Sequence, residues 1–128
     1  AKASGLPSFI EPHVGSFFEP QAIKGARAYY FRRIFHDWDQ TKSRSILLHT
    51  RAAMSAHSRI IIADMVLPNT QAPRDMALQD LNMLSFGGME RTERQWTELI
   101  EASGLCLVKI WREEGAKHAV VEARLPTE

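Results

Sequence analysis

The feature that most constrains the fold of this chain is a short uninterrupted apolar run near its middle. Residues 60–63 read Ile-Ile-Ile-Ala, and no polar side chain interrupts them. A strand with one face in water would alternate polar and apolar residues, so this run predicts a strand that is buried on both faces. Such strands lie at the centre of parallel sheets that are covered by helices. The chain is therefore predicted to form an α/β domain.

The other elements follow from apolar spacing on either side of this run. Apolar residues recur at helical spacing in three segments, which predicts helices over residues 41–54, 75–86 and 92–103. Further strands are predicted over the short run 10–14, over the aromatic-rich residues 26–35, and over the apolar or β-branched runs 105–111 and 118–125. The last two strands are joined by a glycine-containing segment and form an antiparallel hairpin. Alternation of strands and helices implies parallel crossovers, so this hairpin is the antiparallel edge of a mixed sheet.

Residues that stabilise helix ends support two of these helices. Thr92 and Gln95 have the spacing of a capping box, in which each side chain accepts the backbone N–H of the other residue. Asp39 or Thr41 can cap the start of the first helix. Gly104 follows the last helix and is a common type of helix stop.

Composition narrows the class of protein and of partner. The chain has 128 residues, 45% of them apolar and 24% charged, which fits one globular unit. The net charge is +1 with basic and acidic residues interspersed, so we expect no nucleic-acid partner. No apolar run is long enough to cross a bilayer and no secretory signal begins the sequence, so a soluble protein is expected. The single cysteine, Cys106, excludes an internal disulfide and fits a cytoplasmic location.

Candidate catalytic residues follow the predicted strands. In open α/β sheets ligands lie beyond the carboxyl ends of the strands, where Phe17-Phe18, His36-Asp37-Trp38 and Asp64 are expected. Imidazole changes charge near neutral pH, so His36 can act as a general base if a carboxylate orients it. Asp64 and Glu90 are the two candidates for that carboxylate. The alternative is a structural histidine that is hydrogen-bonded to the backbone.

A metal site is a further alternative for the same residues. Adjacent histidine and aspartate, as at His36-Asp37, also occur in metal-dependent phosphohydrolases. That chemistry needs more ligands at suitable spacing, and the remaining histidines, at 13, 49, 57 and 118, do not provide it. The sequence therefore predicts no metal.

Three motifs along the chain resemble one enzyme family. They are His-Asp-Trp at 36–38, Ile-Ile-Ala-Asp-Met-Val-Leu-Pro at 61–68 and Gly-Gly-Met-Glu-Arg-Thr at 87–92. In this order and spacing they resemble the plant and fungal caffeate-type O-methyltransferases, with the fungal secondary-metabolite branch closest, over residues 12–125. The resemblance implies a Rossmann-like class I methyltransferase sheet. It also implies S-adenosyl-L-methionine as cofactor and a hydroxyl group of a small aromatic molecule as methyl acceptor.

The resemblance assigns roles to individual residues. It makes His36 the general base, with Asp64 and Glu90 as its orienting acids, although family members often have glutamate where Asp64 stands. Around these lie the residues expected to contact ligands. The residues expected to contact the cofactor are Ser16, Phe17, Arg32 and Trp38. Ser16 stands where the family motif has aspartate. The residues expected to contact the acceptor are Met83 and Asp37.

The same resemblance implies a partial catalytic domain over residues 1–128. The family's glycine-rich cofactor loop and its N-terminal dimerisation domain have no counterpart in this sequence. We therefore expect the full-length enzyme to be a homodimer and these residues alone to be inactive. The alternative is a non-catalytic ligand-binding or interaction module derived from the same fold.

Overall fold

The computed structural model describes residues 5–68, 90–114, 116 and 118–127. The strands among them are β1 (Ala28–Arg32), β2 (Arg59–Leu67), β3 (Arg91–Thr92), β4 (Cys106–Trp111) and β5 (His118–Arg124). The helices are α1 (Gln40–Ala53) and α2 (Glu93–Ala102), and a single 3-10 turn spans Phe35–Asp37. The predicted helix over 75–86, and with it Met83, lies outside the described residues.

The strand β2 lies in the interior of a mixed sheet whose order is β1-β2-β5-β4. On one side β1 runs parallel to it, with Tyr30 opposite Ile61, and on the other side β5 runs antiparallel. The hairpin of β4 and β5 forms one edge, and the two-residue β3 runs parallel to the last residues of β2. The predicted α/β class, the mixed sheet and the antiparallel hairpin are confirmed.

The core lies on one face of β2. Ile60 and Ile62 are fully buried, whereas Ile61 between them is half-buried. The prediction of burial on both faces is therefore wrong for this part of the strand among the described residues. Ile60 and Ile62 belong to the core cluster that contains side chains of α1 and α2, and Ile61 does not. The large apolar side chains that are fully buried in the same cluster are Phe35, Ile46, Leu47, Trp96, Leu99 and Ile100. Burial of each such side chain stabilises the fold by about 1.5–3 kcal/mol.

Both helices begin where their caps were predicted. The Asp39 side chain accepts the Lys42 backbone N–H at the start of α1. At the start of α2 the Thr92 and Gln95 side chains each accept the other residue's backbone N–H, which completes the capping box. Beyond the end of α2, Gly104 has φ of 73°, a backbone conformation that favours glycine. No helix in the described part of the chain is long and apolar enough to cross a membrane.

Two strands predicted before β2 differ from their predicted extents. Residues 10–14 form no strand; Ile10 and Val14 are exposed, because no neighbouring strand among the described residues pairs with them. The strand predicted over 26–35 ends at Arg32 instead, since the chain leaves the sheet at Arg33. Arg33 has φ of 54°, in the left-handed region, while its N–H still donates to Ala63 at 3.0 Å.

Candidate active site

The candidate base, His36, lies in the tight turn that follows β1. The left-handed conformation of Arg33 redirects the chain into the 3-10 turn Phe35–Asp37, which is closed by the Trp38 N–H donating to the Phe35 carbonyl at 3.1 Å. Phe35 is fully buried and anchors this turn in the core. The His36 side chain is 8% exposed. The turn therefore holds the imidazole in a nearly dry site at the carboxyl end of β1.

Glu90 contacts this imidazole directly. Its Oε1 lies 2.9 Å from Nδ1 of His36, and Glu90 is 3% exposed. Glu90 immediately precedes β3, and Arg91 of β3 is paired with Val66 near the end of β2. An ionised carboxylate can only accept, so Nδ1 carries the hydrogen and Nε2 keeps its lone pair. That tautomer is the one in which Nε2 can take a proton.

Asp64 lies near the imidazole but does not contact it. It was expected to end its strand, yet β2 continues through Leu67, because the apolar residues that follow it also pair and are buried. Its Oδ1 accepts the Met65 N–H at 2.9 Å, and its Oδ2 has no hydrogen-bond partner among the described residues. Burial raises the pKa of Asp64, while backbone N–H groups and the charges of His36 and Arg91 oppose the increase. Of the two candidate orienters, the geometry favours Glu90.

The second imidazole nitrogen faces the more open side of the site. Nε2 of His36 lies 3.4 Å from Oδ1 of Asp37, whose side chain is 50% exposed. An exposed carboxylate beside Nε2 can stabilise an imidazolium and can also accept a hydrogen bond from a ligand hydroxyl. Asp37, which was predicted to contact the acceptor, therefore borders the imidazole nitrogen that Glu90 does not contact.

The same three buried residues form a possible donor set for a metal ion. One ligand atom each from His36, Asp64 and Glu90 lies within 4.8 Å of the others. The spacing of the histidines in the sequence did not indicate this cluster, because His36 is its only histidine. The other two members are carboxylates, Asp64 in β2 and Glu90 before β3. Two features oppose a cation here: Nδ1 is already bonded to Glu90, and the positive charge of buried Arg91 interacts with both carboxylates. The absence of a metal stays a prediction.

Three of the four residues predicted to bind cofactor line one cavity. Ser16, Phe17 and Arg32 border a cavity of about 570 Å³ beside β1, together with Tyr30 and Ile34. Small-molecule sites have volumes of about 300–1,000 Å³, so this cavity is large enough for a nucleoside-sized ligand. It combines a hydroxyl, an aromatic ring and a cation.

Trp38, the fourth, is not among the residues that line this cavity. Its ring packs edge-on against Phe17 and Phe18, with centroids 6.2 Å and 4.8 Å apart. The ammonium of Lys42 lies 5.2 Å from the Trp38 ring centroid. Trp38 therefore packs against Phe17, which lines the cavity, and directly follows the turn that carries His36.

One buried cation at the site has no role in the sequence prediction. Arg91 follows Glu90 in the third motif, is fully buried, and donates to the carbonyls of Phe35 and Trp38. Burial lowers the pKa of Arg91 to about 10, and negative charges nearby, first that of Asp64, limit the decrease. Its position in the motif was visible in the sequence, but its hydrogen-bond partners were not.

Known proteins resemble this chain over nearly its whole length. The family model of the O-methyltransferase domain matches residues 3–106. The O-methyltransferase GME11366 of Pestalotiopsis microspora is 59% identical over 128 residues, which are 99% of this chain and 32% of that protein. The crystal structure of OxaC in complex with SAH and oxaline aligns with a TM-score of 0.87 and 47% identity, over 92% of this chain and 31% of OxaC.

A solved structure with a different activity aligns as well. It is described as a pericyclic reaction enzyme and has a TM-score of 0.82 and 33% identity, over 88% of this chain and 29% of that enzyme. The chain thus spans about a third of the length of each of these proteins.

Proposed function

Because the chain belongs to the O-methyltransferase domain family, we propose that it is the part of an S-adenosyl-L-methionine-dependent O-methyltransferase that carries the general base, His36. The methyl acceptor is a hydroxyl group of a small aromatic molecule. The observation that carries the proposal is the buried contact of 2.9 Å between Nδ1 of His36 and Oε1 of Glu90. A histidine so fixed, with the other nitrogen available, is the arrangement that base catalysis requires.

Proton removal is the step that these residues perform. A phenol has a pKa of about 10 and is a poor nucleophile at neutral pH until it is deprotonated. Nε2 of His36 takes the hydroxyl proton, and the carboxylate of Glu90 stabilises the imidazolium by accepting the Nδ1–H bond. Asp64, buried close by, accepts the Met65 N–H and therefore does not compete for that bond. A base of this kind accelerates reaction roughly 10²–10⁴-fold.

The cavity beside β1 supports the cofactor assignment. When bound, S-adenosyl-L-methionine supplies a methyl group that its sulfonium already activates. Phe17 offers an aromatic surface for a purine ring, and Ser16 and Arg32 offer polar contacts to a nucleoside. OxaC, which shares 47% identity with the chain, was crystallised with SAH. The family's glycine-rich cofactor loop has no counterpart in this sequence, so the cavity provides part of the cofactor contacts.

The acceptor assignment rests on the open side of the imidazole. Asp37 borders Nε2 at 3.4 Å and is half-exposed, so it can hold a hydroxyl in line with the base. OxaC was also crystallised with oxaline, a small molecule. We further propose the homodimer and the cytoplasmic location for the full-length enzyme, and both stay predictions.

A second candidate is an enzyme of this fold that catalyses a pericyclic reaction, as the structure described above does. Such an enzyme would transfer no methyl group. A non-catalytic module would catalyse neither methyl transfer nor a pericyclic reaction. One experiment distinguishes both alternatives from the proposed methyltransferase.

The experiment incubates the full-length gene product containing this chain with methyl-labelled S-adenosyl-L-methionine and a panel of phenols. The expected result is label in a product that is one methyl group heavier, together with release of S-adenosylhomocysteine. His36→Gln should abolish most of this turnover and leave cofactor affinity unchanged. The matched control is His57→Gln, since His57 is exposed and lies before the opposite end of β2. Transformation of a substrate without label would instead support the pericyclic alternative.

A further inference from the structure

We propose that Arg91 is a positioning residue for the base: its guanidinium clamps the turn that carries His36 by binding backbone carbonyls on both sides of it. The inference rests on the proposed function of His36 and adds a residue to which no role has been assigned. Arg91 does not touch the imidazole, so it acts through the turn.

The clamp consists of two hydrogen bonds from one planar group. Nη1 of Arg91 donates to the Phe35 carbonyl at 2.9 Å, and Nη2 donates to the Trp38 carbonyl at 3.0 Å. These carbonyls belong to the residue before His36 and the second residue after it. Because the guanidinium is rigid and planar, it fixes the separation of the two carbonyls and therefore the shape of the turn between them.

The clamp also ties the turn to α1. Nη2 of Arg91 donates to the Ser43 hydroxyl at 2.9 Å, and Ser43 in turn donates to the Trp38 carbonyl at 3.4 Å. Nε lies 3.4 Å from Oε1 of Gln40. The guanidinium carbon lies 5.3 Å from the ring centroid of Trp96 in α2. Arg91 thus joins β3, the turn and both helices around the segment that holds the base.

The placement of Arg91 also connects the base with its carboxylate. Arg91 follows Glu90 directly in the chain. The residue that donates to the turn is therefore covalently linked to the residue whose carboxylate binds Nδ1 of His36. A displacement of one therefore displaces the other. The clamp therefore keeps the His36 imidazole and the Glu90 carboxylate at hydrogen-bonding distance from each other.

The energetics argue against a purely structural role. Arg91 is fully buried, and no carboxylate of the described residues lies within 4.0 Å of its guanidinium. The negative charges of Asp64, Glu90 and Asp39 act on this cation from beyond that distance, so they offset its desolvation only in part. An apolar side chain of similar volume would fill the same space with less desolvation. What the cation provides, and an apolar residue does not, is the pair of fixed donors on the turn.

Arg91→Lys tests the clamp, because lysine keeps the charge but lacks the fork. Two readouts are compared in the full-length gene product: kcat for methyl transfer, and the nitrogen NMR signals of the His36 ring, which report its tautomer. We expect kcat to decrease by about 100-fold, the loss that a displacement of roughly 1 Å produces. The Kd of S-adenosylhomocysteine should stay within about threefold, a change worth less than 1 kcal/mol. The Nδ1–H signal should weaken.

Two further variants separate positioning from stability. Leu99→Ala removes a fully buried side chain of α2 and lowers the melting temperature, but it should leave kcat and the tautomer unchanged. Ser43→Ala removes one acceptor of the guanidinium, so it should change both readouts in the same direction as Arg91→Lys but less, and it replaces that variant if Arg91→Lys does not fold. If the clamp variants keep the parent tautomer and kcat, or Leu99→Ala loses both equally, the inference is overturned. The tautomer readout needs no methyl transfer, so it judges the clamp even if the proposed function fails.

Discussion

Replacing Glu90 with glutamine keeps the shape of the side chain that contacts His36 and removes its charge. The parent carboxylate can only accept, whereas an amide can also present an N–H to Nδ1. In that arrangement the ring hydrogen moves to Nε2, and the nitrogen that faces the acceptor can no longer take a proton. Glu90→Gln therefore changes both the tautomer and the stability of the imidazolium.

The size of the effect follows from the contact distance. Nδ1 of His36 and Oε1 of Glu90 are 2.9 Å apart, and both side chains are buried. Two unit charges at about 4 Å attract by about 4 kcal/mol at an effective dielectric constant of about 20. Since about 1.4 kcal/mol corresponds to a tenfold change in rate, loss of this attraction lowers kcat by on the order of 10³-fold. The wrong tautomer would lower it further.

The assay is single-turnover methyl transfer in the full-length gene product at saturating cofactor, with product quantified by mass spectrometry. Calorimetry with S-adenosylhomocysteine checks that cofactor binding is retained. Glu93→Gln is the matched control, because the side chain of Glu93 is 46% exposed and contacts Arg112 rather than the site. If Glu90→Gln turns over at a rate within about threefold of the parent, less than 1 kcal/mol in barrier height, the assigned role of Glu90 is refuted.

Three further predictions concern stability and cofactor affinity. Burial raises the pKa of Asp64 in the folded protein above its ordinary value of 3.8. The protonated Asp64 side chain therefore contributes to stability below that pH, and this contribution is lost as the pH rises through the pKa of the folded protein. In urea unfolding, Asp64→Asn should therefore be more stable relative to the parent at about pH 7 than at about pH 3, and an advantage that shrinks with rising pH would contradict the burial argument. Thr92→Ala removes the capping box of α2 and should reduce the free energy of unfolding by about 1 kcal/mol, whereas no change would mean that the cap is not formed. Phe17→Ala should weaken S-adenosylhomocysteine binding by about 1–3 kcal/mol, the range for loss of one aromatic stacking surface, and unchanged affinity would place the purine elsewhere.

The parts of the fold that depend on local sequence were predictable. The caps at Asp39 and Thr92 involve residues three apart, so their spacing alone identifies them. The run at 60–63 identified the interior strand because its apolar character can be read from the sequence without knowing which strands pair with it. The strand predicted over 10–14 was wrong for the opposite reason: a segment this short becomes a strand only if another strand pairs with it.

The candidate site required more than local pattern. His36 and Glu90 lie 54 residues apart; the sequence offered Glu90 as one of two candidate orienting acids, and the structure placed it in contact with His36. The choice between Asp64 and Glu90 as the orienting acid depended on side-chain distances that no spacing rule gives. The role proposed for Arg91 depends on its hydrogen bonds to two backbone carbonyls. Such contacts cannot be predicted from sequence, because every residue has a backbone carbonyl.

The central claim is that His36 removes the acceptor's proton, and the most direct test is the pH dependence of the methyl-transfer step itself. Single-turnover rates of the parent and of His36→Gln are measured across pH with one phenolic acceptor. Without the base, the reaction depends on acceptor that is already ionised, so the rate of the variant should increase about tenfold per pH unit up to the acceptor pKa of about 10. The parent should exceed it most at neutral pH, and the difference should narrow as the pH rises. Parallel profiles, separated by a constant factor or not at all, would contradict the assignment of His36 as the base.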